Sequence, residues 1–358
     1  MRHGRTRIVV IAVLALLASL LPLSLAGADE HVPVPGGPFV PPAQPEANRS
    51  AMLDYETIVD QLFALEARSG GALEVIEIGT SGQGRTLYGA QIGDGDTRMW
   101  IQGRIHGDEP YGAEAILDVL QSLVAGGRHA REVLDEMTFL MIPIYNVDGS
   151  EAYIRQDVIN GIDLNRDWGV AEDLSRPLTE FTAVESRAYW YAWADFRPDY
   201  ALDLHHQGTY YESGTDEMTA FSLGIPLLPD NLDPEIWDAA RQMAVTVFDA
   251  IDPKGYANIT RYPDINIPEA VISAMMLGGP GPEGEDPGFT TAAMFFESRG
   301  GIGTKSRGYL IRQNVEGVWA VIDAIAYGTL DEADADRWAE LPRRGQSIST
   351  SDRFPNSP

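Results

Sequence analysis

Apolar and polar residues along the chain follow two spacings, which predict strands and helices that succeed one another. Continuous or alternating apolar runs predict strands at 73–78, 86–92, 99–105, 137–144, 198–204 and 291–296. Apolar residues at helical spacing predict helices at 52–68, 110–125, 181–194, 234–251 and 306–327. Because strands alternate with helices, we expect an α/β fold, a three-layer α/β/α sandwich on a mixed, mostly parallel central sheet.

The segment 99–117 contains both a predicted strand and helix and, between them, two candidate metal ligands. An apolar run ends in a His-Gly-Asp-Glu-Pro turn, after which helical spacing begins. We interpret the segment as a buried strand, a tight turn and a helix whose first turn contains Pro110, where a missing N–H costs nothing. His106 and Glu109 then lie beyond the carboxyl end of a strand, where open α/β folds place ligand sites. An imidazole and a carboxylate together suit Zn²⁺, although a pattern this short recurs by chance.

Two later strand ends also carry chemistry-bearing residues. The predicted strand 198–204 runs into His205 and His206, and Glu297 directly follows the strand 291–296. Such residues tend to meet at one edge of the sheet. Side chains alternate along a strand, so only one of the two adjacent histidines can face a metal.

The two ends of the chain differ in composition from its middle. Arginines precede a long apolar run that ends in Ala-Gly-Ala, which predicts a secretory signal peptide at 1–28 and a secreted, extracellular protein. A retained membrane anchor is the alternative. The proline-rich residues 29–50 predict an extended linker. We expect a catalytic domain at 51–330 and a polar tail at 331–358, with about its last fifteen residues mobile.

Charge and cysteine content narrow the classes of function. The net charge of −27 argues against nucleic acid and anionic membrane surfaces as partners. No later run is long enough to cross a membrane, so we expect no stable membrane association after signal cleavage. The chain has no cysteine, so a zinc site must use histidine and carboxylate ligands. That donor set favours a catalytic zinc over a structural one.

Read in chain order, the polar motifs resemble those of the zinc carboxypeptidase family, the carboxypeptidase A-like M14 metallopeptidases. The resemblance runs from about residue 55 to residue 325. Four motifs carry it: a glycine-rich turn at 79–85, His-x-x-Glu at 106–109, an Asn-x-Asp-Gly loop at 146–149 and an Asn-Arg pair at 165–166. Two strand-end residues, His205 and Glu297, complete the set. Val147 departs from the family, in which proline is usual at this position.

The resemblance implies one Zn²⁺ per chain, bound by His106, Glu109 and His205, and it favours His205 over His206. Three protein ligands leave a fourth position for water, as in hydrolytic zinc sites. Glu297 is then the general base that takes a proton from the water and passes it to the leaving nitrogen.

The resemblance also assigns the cations of the site. By position, Arg155 resembles the family's arginine that stabilises charge on the carbonyl oxygen. Arg166 offers a planar fork for a terminal carboxylate, with Asn165 beside it as a second substrate-binding residue. Arg166 could instead pair with Asp163 or Asp167.

Two further assignments stay open. Asp203 could orient a metal ligand, but we expect it to be an exposed strand residue. The pancreatic-type enzymes have a mobile tyrosine before the catalytic glutamate, and the matching region here has none. The possible replacements are Tyr210, Tyr211, Tyr256 and Tyr262.

These residues predict a zinc metallocarboxypeptidase that hydrolyses a C-terminal peptide bond. The substrate would be a peptide, or an N-acyl amino acid, with a free carboxylate. A zinc amidohydrolase or deacylase on the same scaffold is the nearest alternative. A non-catalytic secreted binding protein is a second alternative, which the presence of Glu297 disfavours.

The first prediction concerns His106→Ala. We expect weaker zinc binding and loss of hydrolysis with the fold retained, since the core strand and helix do not need the imidazole. Metal content, peptide hydrolysis and circular dichroism measure the three quantities. Global unfolding of the variant would show that the metal is structural and that the site has been misinterpreted.

Overall fold

A computed structural model describes residues 52–168, 180–226, 232–264, 267–279, 288–300 and 307–347. The predicted signal peptide at 1–28 and linker at 29–50 lie outside these residues. Across the described ranges, no helix combines the length and the apolar character that crossing a membrane requires.

Within the described ranges, eight strands form one mixed sheet and three short strands form a second sheet. The strands are β1 (Leu73–Thr80), β2 (Thr86–Ile92), β3 (Thr97–Gly103), β4 (Met137–Ile142), β5 (Tyr200–Gln207), β6 (Tyr210–Glu212), β7 (Met218–Thr219), β8 (Phe221–Gly224), β9 (Ile259–Arg261), β10 (Ala292–Arg299) and β11 (Arg344–Ser347). The large sheet has the order β1-β2-β4-β3-β5-β10-β8-β9, and the small sheet has the order β11-β6-β7.

Helices lie on both sides of the large sheet. They are α1 (Tyr55–Arg68), α2 (Tyr111–Val124), α3 (Arg128–Glu136), α4 (Val147–Ala152), α5 (Val184–Phe196), α6 (Pro234–Ile251), α7 (Val271–Leu277) and α8 (Arg307–Ala326). Helices α2 and α6 each pack on α8, whereas α5 contacts β1, and α7 contacts β5 and β10. This arrangement confirms the predicted sandwich with a mixed sheet.

Several helices begin where a side chain can accept a backbone N–H of the first turn. Asp54 accepts from the N–H of Thr57 at 2.8 Å, at the start of α1. Asn146 accepts from the N–H of Gly149 at 2.8 Å, at the start of α4. Such caps satisfy donors that the helix itself leaves unpaired. In α4 the cap also gives the Asn-x-Asp-Gly loop a defined path.

The parallel strands at the centre of the sheet position the candidate residues. Strand β5 pairs in parallel with β3 on one side and with β10 on the other. In this register Leu204 lies opposite Gly103, and His205 lies opposite Glu297. His205 and Glu297 therefore lie within their strands, a few residues before the ends, rather than following them as the sequence pattern suggested.

The segment 331–347, which its polar composition assigns to a tail, is part of the packed structure. Trp338 is buried, and β11 pairs with β6. The backbone N–H of Arg261 donates to the carbonyl of Pro342 at 2.6 Å. Backbone hydrogen bonds and one large apolar side chain attach the segment to the rest of the protein. Neither produces a periodic hydrophobic pattern, so the sequence did not predict this packing.

The second prediction tests the packing of α2 on β5. A Cβ at Gly112 would lie 2.7 Å from Cβ and 2.8 Å from the carbonyl oxygen of Leu204. Gly112→Ala should therefore lower the free energy of unfolding by about 1–3 kcal/mol, since one helix or strand must shift. Urea denaturation measures the change.

Gly308→Ala is the matched control for this prediction. Gly308 is also the second residue of a helix, but among the described residues outside its own helical turn no atom lies within 4 Å of an added Cβ. The free energy of unfolding of Gly308→Ala should equal that of the wild type or exceed it by up to about 1 kcal/mol, because alanine loses less conformational entropy than glycine when a helix forms. Equal denaturation midpoints for Gly112→Ala and the wild type would contradict the described packing.

Candidate active site

His106, Glu109 and His205 converge beyond the parallel strands. All three are buried, and their ligand atoms lie within 4.8 Å of one another. The Glu109 carboxylate lies between the rings, with Oε1 2.9 Å from Nδ1 of His106 and Oε2 3.1 Å from Nδ1 of His205. Across the described ranges, this is the only cluster of histidine and carboxylate groups with a geometry that could hold a metal.

A second carboxylate lies behind each imidazole. Nε2 of His106 is 3.1 Å from Oδ1 of Asp163, and Nε2 of His205 is 2.9 Å from Oδ2 of Asp203. This contact orients the ring so that Nδ1 points into the cluster, and it raises the basicity of the ring. The two histidines are therefore arranged as metal ligands commonly are.

Asp203 is fully buried, so the expectation of an exposed strand residue is wrong. The reason is that β5 lies in the middle of the sheet and also contacts helices α2 and α7, so all of its residues from Ala201 to Gln207 are buried. A polar residue that alternates with apolar ones faces solvent only in a strand that has one buried and one exposed face, and β5 is not such a strand.

His206 faces a different neighbour from His205. Its Nε2 accepts the backbone N–H of Tyr111 at 3.0 Å, and its ring stacks on the Tyr111 ring with centroids 4.6 Å apart. Burial lowers the pKa of His206 to about 3, so the ring is neutral at physiological pH. The backbone N–H of His206 donates to Glu109 Oε2 at 3.0 Å and helps to position this carboxylate.

The charge state of the cluster suits a divalent cation. Burial would raise the pKa of Glu109, but the imidazoles and their hydrogen bonds hold it well below its usual value. Two imidazole nitrogens and one anionic oxygen, buried and oriented by further carboxylates, form the donor set that zinc prefers. The residues present therefore fit a zinc ion.

Glu297 lies beside this cluster on β10. Its side chain is half-buried, and its Oε2 is buried without a hydrogen-bond partner among the described residues. Burial raises the pKa of Glu297 to about 7, with His205 opposing the shift and Glu109 adding to it. A carboxylate with this pKa can both accept and release a proton near neutral pH.

Arg155 is held at the cluster by Asp163. Its Nε and Nη2 donate to Oδ2 of Asp163 at 3.2 and 2.8 Å. Its Nη1 lies 3.1 Å from Nδ1 of His106 and 3.4 Å from Oε1 of Glu109. Burial would raise the pKa of Asp163, but His106 and Arg155 hold it well below its usual value. Asp163 thus links the predicted cation to a predicted metal ligand.

Asn165 and Arg166 lie at the wall of the same site. Arg166 is exposed and, in the part of the chain that the structure describes, forms no ion pair with Asp163 or Asp167. Its guanidinium is therefore available to an anion. Asn165 accepts the backbone N–H of Val271 with its Oδ1 at 2.9 Å, which ties the loop to the start of α7.

These groups line a cavity of about 410 Å³. Its remaining wall is partly apolar, formed by Pro226, Ile267, Ala270, Ile272 and Phe295. Of the four candidate tyrosines, Tyr210 and Tyr262 line the cavity. Tyr256 instead bonds to Glu316 on α8 through its hydroxyl, at 2.5 Å. Burial and the Glu297 carboxylate raise the pKa of Tyr262 above its usual value.

Sequence reasoning missed three contributors to the site. Arg104 has a positive φ of 54° and donates to the carbonyls of Gly107 and Ser150 at 3.0 and 3.2 Å. Asn146 donates from Nδ2 to the carbonyl of Arg155 at 3.2 Å. Arg344 lines the cavity from the C-terminal segment. Only Asn146 lay in a motif that could have signalled its importance.

The third prediction concerns Asp203→Asn. Loss of the charge behind His205 should weaken zinc binding by about 10- to 100-fold while the fold persists, because the two side chains have nearly the same shape. Competition with a coloured chelator measures the affinity, and circular dichroism monitors the fold.

Asp199→Asn changes an exposed aspartate just before the start of β5 and serves as the control. It should bind zinc like the wild type. An unchanged zinc affinity in Asp203→Asn would show that Asp203 does not orient a ligand.

Comparison with known proteins finds similarity to zinc carboxypeptidases in both sequence and fold. Residues 58–210 match the family model of zinc carboxypeptidases, peptidase family M14. Carboxypeptidase 2 of Trichophyton rubrum is 33% identical over 109 residues, which are 30% of this chain and 18% of that protein. Probable carboxypeptidase 2 of Arthroderma benhamiae is 32% identical over 109 residues, which are again 30% and 18% of the two chains. The chain thus spans less than a fifth of the length of these relatives.

Solved structures extend the likeness in fold beyond this segment. Carboxypeptidase A from Helicoverpa armigera superposes with a TM-score of 0.58 at 17% identity, over 79% of this chain and 77% of that chain. A metallo-carboxypeptidase from Burkholderia cenocepacia has a TM-score of 0.57 at 16% identity, over 76% and 70% of the two chains. Residues 58–210 are therefore similar in sequence to the zinc carboxypeptidase family, and the fold shared with solved carboxypeptidases extends over most of the chain.

Proposed function

We infer that the protein is a secreted zinc-dependent metallocarboxypeptidase that hydrolyses the C-terminal peptide bond of its substrate. The observation that carries this proposal is the convergence of a buried His-Glu-His cluster and Glu297 on one cavity. The placement outside the cell depends on the signal peptide predicted at 1–28.

His106, Glu109 and His205 are the proposed ligands of one zinc ion per chain. Such an ion supplies Lewis acidity, which lowers the pKa of a water molecule and polarises a carbonyl group. Asp163 and Asp203 hold the imidazoles so that both Nδ1 atoms face Glu109. Little reorganisation of side chains is then needed when the metal binds.

Glu297 is the proposed general base. Its unpartnered Oε2 can accept a proton from the attacking water and return it to the leaving nitrogen. Burial raises the pKa of this carboxylate, which helps it to hold the accepted proton until it is delivered to the leaving nitrogen. Glu109 has a strongly lowered pKa and is a poor base, which supports its role as a ligand.

Arg155 and Arg166 are the proposed cations for the substrate. Arg155 is fixed by two hydrogen bonds to Asp163 and is suited to stabilise charge on the scissile carbonyl oxygen. Arg166 is exposed at the cavity wall and is suited to the terminal carboxylate, with Asn165 holding its loop in place. Recognition of a free carboxylate would restrict cleavage to the C-terminal bond.

The fourth prediction tests this assignment with Glu297→Gln. We expect kcat/KM for N-blocked dipeptides to fall by about 10²- to 10⁴-fold, because the amide cannot take the proton. Zinc content and melting temperature should match those of the wild type. Glu217→Gln, at an exposed position outside the cavity, should retain full activity.

The substrate panel for this experiment should include N-acyl amino acids beside the dipeptides. Turnover of N-acyl amino acids alone would favour the deacylase alternative. Stoichiometric zinc with no hydrolysis of either class would argue for a binding protein. Undiminished activity in Glu297→Gln would exclude this residue as the base.

A further inference from the structure

Arg344 is a cation of the cavity that none of the family motifs contains. It lies on β11, and its guanidinium carbon lies 4.0 Å from the ring centroid of Tyr210 and 3.7 Å from that of Tyr262. Its Nη1 donates to Oε1 of Gln207 at 2.8 Å. Two aromatic faces and one amide therefore hold the group at the cavity wall.

The charge of Arg344 is not neutralised by a contacting carboxylate. Among the described residues it has no ion pair within 4.0 Å, and its Nε is buried without a hydrogen-bond partner. The acidic residues that line the cavity are Asp108, Glu109 and Glu297. Arg344 lowers the pKa of Glu297 through space but does not contact it. A partly buried cation without an anion is costly, and an anionic ligand would offset that cost.

The backbone around Arg344 is fixed on both sides. The carbonyl of Arg343 accepts the N–H of Ser213 at 2.7 Å, and the carbonyl of Pro342 accepts the N–H of Arg261 at 2.6 Å. A Cβ at Gly345 would lie 3.0 Å from the backbone of Ser213, so the strand runs close against its neighbour. The guanidinium is therefore pre-organised, which reduces the entropy lost when it binds a ligand.

We propose that Arg344 binds the side-chain carboxylate of the substrate's C-terminal residue, so that the protein prefers chains ending in glutamate or aspartate. This specificity rests on the carboxypeptidase function proposed above. Arg166 would take the terminal carboxylate, and Arg344 would take the second carboxylate. The apolar wall at Pro226, Ile267 and Phe295 can contact the methylene groups between them. Arginine suits this role, since its planar fork matches a carboxylate with two parallel hydrogen bonds.

The fifth prediction follows from a pair of substrates that differ only in charge. For N-blocked dipeptides ending in glutamate or glutamine, kcat/KM should favour glutamate by roughly 10- to 100-fold in the wild type. Arg344→Gln should remove this preference, and Arg344→Lys should retain part of it. Arg343→Gln changes the exposed neighbouring arginine and should behave like the wild type. Melting temperatures show whether each variant is folded.

The outcomes separate this inference from the proposed function. If glutamine-ending and glutamate-ending peptides are cleaved equally by the wild type, the specificity is refuted and the carboxypeptidase stands. If Arg344→Gln slows both substrates by the same factor, Arg344 acts on Glu297 or on the terminal carboxylate, and the proposal is also refuted.

Binding tests the inference even if no peptide is hydrolysed, a result that would overturn the proposed function. Calorimetric titration of the Glu297→Gln protein with the two peptides should show tighter binding of the glutamate-ending one. The preference should disappear when Arg344→Gln is added. Equal affinities in the presence of Arg344 would refute the proposal.

Discussion

The register of β5 against its two neighbours is the constraint on which the site depends. Strand β5 is hydrogen-bonded in parallel to β3 and β10, which sets the heights of Gly103, His205 and Glu297 relative to one another. A shift of one residue would turn His205 away from the cluster and bring His206 towards it. The close approach of Gly112 to Leu204 opposes such a shift, because helix α2 contacts the strand one residue before His205. The register of β5 therefore determines both the packing of the core and the positions of the candidate ligands.

The charges at this edge of the sheet form a network. Asp163 contacts both His106 and Arg155, Glu109 contacts both imidazoles, and Asp203 contacts His205. Carboxylates taken out of water are costly unless they are paired, and here nearly every one has a cationic or donor partner. Glu297 is the exception, since burial raises its pKa to about 7 and outweighs the lowering by His205 and Arg344. A raised pKa suits Glu297 to proton transfer, whereas the paired carboxylates are suited to holding the histidines and Arg155 in position.

The sandwich and the three candidate ligands could be predicted because each depends on local signals. The apolar run in β3 and the turn that follows it make His106 and Glu109 candidate ligands, and the resemblance over the later motifs selects them together with His205. Asp203 was misjudged, since a two-residue alternation says nothing about a strand buried on both faces. Asp163 was seen only as a possible partner of Arg166. Its contacts with His106 and Arg155 depend on the path of a loop that has no periodicity.

The least predictable part of the site is its outer wall. Strands β6 to β9 have two to four residues each and are defined by their neighbours rather than by their own sequence pattern. Arg344 lies in a segment whose composition resembles a mobile tail, yet its neighbours are bonded to Ser213 and Arg261. Metal ligands must keep one geometry, so their motifs are compact and recognisable. A residue that selects the substrate side chain needs only a defined position in the wall, which segments remote in sequence can supply. The proposed specificity therefore required the structure, whereas the proposed chemistry could be inferred from short motifs.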